Sequence, residues 1–177
     1  MKKTSSMSER LNTLRAGVLG SNDGILTVVG VLFSVAVATT DQFTIFIAGL
    51  SDLLACAFSM AAGEYASVST QKDAEKAAVA KEKQLLKTDF SSELATVKMF
   101  YVERGVSEQT AALIAQDLMA KKPLETIISI KYNLNLGQYM NPWNAALSSL
   151  VSASIGGIFP LAAMTLSPVQ YQWPLTI

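Results

Sequence analysis

Three stretches of this chain are apolar for long enough to cross a bilayer, and no other feature limits the fold as strongly. They run over residues 16–38, 43–66 and 142–165. A helix needs about 20 apolar residues to cross a hydrocarbon core of about 30 Å. Inside lipid every backbone N–H and C=O must be bonded within the segment or within a closed barrel. No stretch alternates apolar and polar residues over a useful length, so a barrel is not expected. The expected fold class is therefore all-α: a polytopic membrane helical protein with a cytoplasmic helical domain inserted between the second and third transmembrane helices.

Basic residues set the expected orientation. Lys2, Lys3, Arg10 and Arg15 precede the first span, and the other ten, from Lys72 to Lys131, lie between the second and third spans. The link Thr39–Gln42 has none, and none follows Lys131. Loops rich in Lys and Arg stay cytoplasmic. Residues 1–15 are thus read as a cytoplasmic N-terminus and 16–66 as transmembrane helices 1 and 2. Residues 67–141 form the cytoplasmic helical domain, 142–165 transmembrane helix 3, and 166–177 the start of a truncated fourth span. The first apolar run is too long for a signal-peptide core and is expected to be a retained helix.

Within 67–141 the pattern predicts four helical pieces. One continues from the second span to about residue 88. The next covers 91–104, starting at Ser91 or Ser92 and stopping at Gly105. A third covers 107–121 and starts at Ser107, with Ala111, Ile114, Ala115 and Leu118 on one face. The fourth covers 123–134 with Pro123 in its first turn.

Three acids lie within the spans: Asp23, Asp52 and Glu64. No Lys or Arg lies in any span to neutralise them. A carboxylate at membrane depth is costly and marks an ion pathway or proton relay. Asp52, Cys56, Met60 and Glu64 follow one another at four-residue spacing. Each such step drifts only about 40° around a helix, so the four form one slowly curving stripe. Asp23 lies about 10 Å from the inner end of the first span and Met60 about 9 Å from that of the second, at 1.5 Å per residue. A hairpin of the two spans is expected to gather Asp23, Met60 and Glu64 near the inner mouth, with Asp52 nearer the outer side. Carboxylates with a thioether suit Fe(II), with Mn(II) close behind. Carboxylates that release metal can take up protons, which gives a basis for exchange. The plainer reading makes Cys56 and Met60 buried packing residues and Glu64 a side chain reaching for a helix end.

Other chemistry is disfavoured. Lys plus Arg and Asp plus Glu both number 14, so no basic excess points to nucleic acid. The chain has one cysteine, so no disulfide framework. It has no histidine, no nucleophile beside a base and no phosphate-cradling glycine loop. An enzyme is not expected, nor a permanently bound cofactor.

Longer motifs carry a resemblance. Arg15-Ala16-Gly17-Val18-Leu19-Gly20-Ser21-Asn22-Asp23-Gly24, then Ala48-Gly49-Leu50, then Ser59-Met60-Ala61-Ala62-Gly63-Glu64-Tyr65-Ala66-Ser67-Val68-Ser69 are similar to the vacuolar iron transporter family. Gln71-Lys72-Asp73-Ala74-Glu75, Leu118-Met119-Ala120-Lys121 and Asn141-Pro142-Trp143 resemble it too. The likeness covers residues 11–160. It implies a homodimer with five spans per subunit, an ion path between subunits, and export of Fe(II), and often Mn(II), from the cytoplasm in exchange for protons. It implies Asp23 and Met60 as transport-path metal ligands, with Asp52 where plant members carry glutamate and Glu64 in the Gly-Glu motif. It also implies a cytoplasmic domain that collects metal. The positions for that task read Glu82, Leu85, Glu93, Thr96, Ser129, Ile130 and Asn133, so only Glu82 and Glu93 stand as residual cytoplasmic metal ligands. The expected partners are membrane lipid, divalent metal ions and protons, with no nucleic acid, in a bacterial or archaeal plasma membrane rather than a vacuolar one. The alternative reading is a truncated, non-transporting membrane interaction protein of the same family.

Overall fold

A computed structural model describes residues 7–166, and every element in it is an α-helix. The order is α1 (Met7–Ala38), α2 (Gln42–Thr88), α3 (Phe90–Val102), α4 (Glu108–Lys121), α5 (Pro123–Tyr132) and α6 (Pro142–Leu166). Three of these helices, α1, α2 and α6, are long and apolar enough to cross a membrane. Residues 1–6 of the expected N-terminal segment, and all of the expected fourth span beyond Leu166, lie outside the described residues. The chain divides into two compact units. One holds the chain up to Ser69 and from Asn141 onward; the other holds Thr70–Met140.

In the first unit, α1 and α6 touch backbone to backbone. A Cβ added at Gly24 would run into the backbone of Ala153, and one at Gly156 into the backbone of Ser21. A Cβ at Gly20 would meet the Ser149 carbonyl at 2.9 Å. Lipid gives helices no hydrophobic reason to associate, so such small-residue seams let van der Waals contact supply the attraction. The Ser148 hydroxyl adds a cross-helix bond to the Thr13 carbonyl at 3.1 Å. Above this seam Val28 and Leu32 of α1, Ile45 and Leu53 of α2, and Leu161 and Met164 of α6 form one buried cluster. Asp41 starts α2, its Oδ2 accepting from the Thr44 N–H at 2.8 Å. The Thr44 side-chain and backbone bonds hold the Asp41 carboxyl below the ordinary carboxylate range.

In the second unit, α3 begins one to two residues before the expected serine. Asp89 is its N-cap and accepts from the Ser92 N–H at 3.2 Å. Aspartate and serine rank alike as N-caps, and Asp89 is the one that stands three residues before that donor. The end of α3 follows expectation: Gly105 stands at φ +88°, and the Val106 N–H reaches back to the Tyr101 carbonyl at 3.1 Å across it. Ser107 caps α4, as its spacing predicted, accepting from the Thr110 N–H at 3.3 Å. On α4 it is Ala111, Ala115 and Met119 that are fully buried, with Ile114 and Leu118 only half-buried. α5 stops at Tyr132, not 134, because Asn133 turns left-handed at φ +53°. Asparagine tolerates that region, as glycine does. Val97, Ala115, Met119 and Ile127 close the core of this unit.

The seam predicts two different outcomes for glycine-to-alanine changes. Gly24→Ala forces α1 from α6 and should cost about 1–3 kcal/mol, the usual penalty of overpacking. Gly30→Ala enters open space and should leave stability unchanged or slightly raised. Thermal unfolding of the two variants in detergent checks this.

Candidate functional site

Asp23 occupies the turn of α1 between Gly20 and Gly24, the two glycines pressed against α6. That close approach leaves Asp23 partly buried. Its Oδ2 accepts a hydrogen bond from Cys56 Sγ of α2 at 3.4 Å. The thiol that the sequence reading treated as packing is therefore the cross-helix partner of the first-span acid. This contact falls one turn nearer the 39–41 link than Met60.

The acids of α2 are placed differently. Asp52 and Glu64 are partly buried, and each has one carboxylate oxygen, Oδ2 and Oε2, that is shut from water and makes no hydrogen bond. Met60 is partly buried on the same stripe. No hydrogen bond joins Asp23 to Asp52 or Glu64 among the described residues. Nor do three His, Cys, Asp or Glu side chains converge there into a cation cage. Ser149 of α6 is a further buried polar group on the α1–α6 seam, fully enclosed with its Oγ unbonded.

The second unit contains a separate charged centre. Glu82 of α2 and Glu93 of α3 are 1% and 4% exposed, which is unusual for carboxylates without a partner. The partner is Lys131 of α5. Its ammonium lies 2.9 Å from Glu82 Oε2, 2.8 Å from Glu93 Oε1 and 2.6 Å from Glu93 Oε2. The Tyr132 hydroxyl donates to Glu82 Oε1 at 2.8 Å. The two residues read as residual metal ligands thus enclose an ammonium supplied by the chain itself. Burial alone would raise Glu82, but the bonds from Lys131 and Tyr132 outweigh it and hold its carboxyl below its ordinary value. Burial would likewise lower Lys131; the bonds from Glu93 and Glu82 reverse that and raise it. The bond to Glu82 also raises the Tyr132 phenol.

Lys131 was missed at the sequence level, yet a signal existed. It follows the buried Ile127 by four residues and Ile128 by three, which puts it on the covered face of α5. Glu93 lies four residues before the buried Val97 and carried the same signal.

Comparison with known proteins adds the family. A family model described as the VIT family matches residues 14–177. The chain belongs to the VIT family. It is 37% identical over 160 residues to a vacuolar iron transporter of Acanthamoeba castellanii, covering 90% of this chain and 58% of that protein. It is 27% identical over 153 residues to vacuolar iron transporter homolog 2.1 of Arabidopsis thaliana, covering 86% of this chain and 54% of the relative. A shorter match, 41% over 69 residues, links it to vacuolar iron transporter homolog 5 of Oryza sativa, covering 39% of this chain and 33% of the relative. This VIT-family chain spans little more than half the length of the first two. Membership in this family accords with the three membrane-length helices.

The charged centre of the second unit should control its stability. Lys131→Met leaves two buried carboxylates unpaired, an omission that costs about 3–5 kcal/mol. Hydrogen exchange of α3 and α5 in the full chain should accelerate accordingly. The depressed Glu82 gives stability that is present above its unfolded value and is lost as pH falls through the lower folded value. The raised Lys131 and Tyr132 give stability that is lost only as pH rises past their folded values. Protection should therefore hold through neutral pH, decline on acidification below about 4.5, and lose most of that acid dependence in Glu82→Gln.

Proposed function

We propose that this chain belongs to a transporter that moves Fe(II), and Mn(II), out of the cytoplasm in exchange for protons. The observation that carries this reading is a set of acids within membrane-length helices that have no basic neighbour there. Asp52 and Glu64 each keep a buried oxygen without a bond, and Asp23 accepts across the helices from the Cys56 thiol. An anionic carboxylate held in that way gains most from an entering cation or a proton. The two occupants compete for the same oxygens, which couples their movements. The thioether of Met60 favours iron over harder ions.

In this reading Asp23, Asp52, Met60 and Glu64 are the path ligands. The proposal puts the path between two copies of the chain, each giving part of the coordination. The names of the relatives, which speak of vacuolar iron transport, support iron as the substrate.

Proteoliposomes loaded with a metal-sensitive dye and given an opposing pH gradient test this. The full-length protein should accumulate Fe(II) or Mn(II), with accumulation lost when the gradient collapses. Asp23→Asn combined with Met60→Ala should lower the initial rate at least tenfold. An unchanged rate in that double variant would remove these two residues from the path.

A further inference from the structure

One side of the α1–α6 pair carries an open groove of about 870 Å³. Its walls are Leu14 and Val18 of α1 and Leu147 and Val151 of α6, side chains 47–64% exposed. Arg10 and Asn144 line its polar end. Trp143, the neighbour of Asn144, stacks at a tilt on Tyr65 with ring centroids 4.8 Å apart. Aromatic pairs of this kind collect at the membrane–water boundary, so the polar end of the groove lies at headgroup level. Along α1 the groove runs from Arg10 to Ser21, which is about 16 Å at 1.5 Å per residue. That is about half of a hydrocarbon core of about 30 Å. A transmembrane helix would need a groove of full depth; a single acyl chain of one leaflet needs this much. Arg10 makes that polar end cationic.

We propose that this groove binds an anionic phospholipid of the inner leaflet. Arg10 and Asn144 receive the phosphate and headgroup, and one acyl chain lies between Leu14, Val18, Leu147 and Val151. Charge complementarity and half-bilayer length favour this occupant over a protein helix. Basic pockets between membrane helices on the cytoplasmic side select anionic headgroups by the same electrostatics. The proposal is independent of metal transport, since it uses none of the path residues.

The test uses the full-length protein in nanodiscs containing phosphatidylcholine with a minor fraction of phosphatidylglycerol, read by native mass spectrometry and by lipid retained through purification. Phosphatidylglycerol should be enriched over phosphatidylcholine at least fivefold. Arg10→Gln should abolish the enrichment, Arg10→Lys should keep most of it, and Val18→Trp should displace the lipid by filling the groove without touching the charge. Equal retention of both lipids, or enrichment that survives both Arg10→Gln and Val18→Trp, overturns the proposal. So does efficient disulfide formation between copies carrying Val18→Cys, which would mean that a second protein helix fills the groove. Should Arg10→Gln fail to fold, Arg10→Lys and Val18→Trp still decide between these outcomes.

Discussion

The contact of α1 with α6 at Gly24 and Ala153, and at Gly156 and Ser21, is what the membrane unit depends on. No side chain separates the two backbones there. Water cannot drive helices together in lipid, so attraction must come from many short-range contacts, and these require that side chains be nearly absent. Gly20 and Gly24 of this seam bracket Asp23. Removing bulk on either side of that residue lets the helix pair close around it, and a carboxylate that would otherwise face acyl chains is turned toward α2 and the Cys56 thiol. Packing and chemistry share one turn of helix.

The two units solve the problem of buried acid in opposite ways. In the second unit Glu82 and Glu93 are satisfied by Lys131 and Tyr132, all from the same chain. Three helices are thereby tied through one ammonium, and the centre contributes to structure at any neutral pH. In the first unit the acids of α2 have no such internal cation and retain unbonded buried oxygens. Under the proposed function, the carboxylates left open in the membrane part are the ones an external cation would meet.

Much of this was legible in the sequence. The membrane-length helices follow from apolar run length alone, and the Ser107 cap and the Gly105 stop follow from local chemistry that needs no tertiary context. What was not legible depended on partners distant in the chain. Cys56 and Asp23 are 33 residues apart, and Glu82 and Lys131 are 49 apart. Periodicity assigns each to a face but does not say which face of which helix it meets. Helix limits differ from apolar-run limits for a related reason: hydropathy gives where apolar residues begin, while α1 begins earlier, at Met7. Asn133 ended α5 through a left-handed residue other than glycine, a stop whose signal is weak without the structure.

Cys56 is the one thiol in the chain, and it rests against the acid most central to the membrane unit. Nature has thus left a single chemically addressable atom at the heart of this helix pair. Its rate of alkylation by small maleimides or methanethiosulfonates, measured on the unaltered protein, reports how often the crevice around Asp23 opens to solvent. Any ion that settles on that carboxylate would slow the reagent, so occupancy becomes readable as a labelling rate without a single substitution.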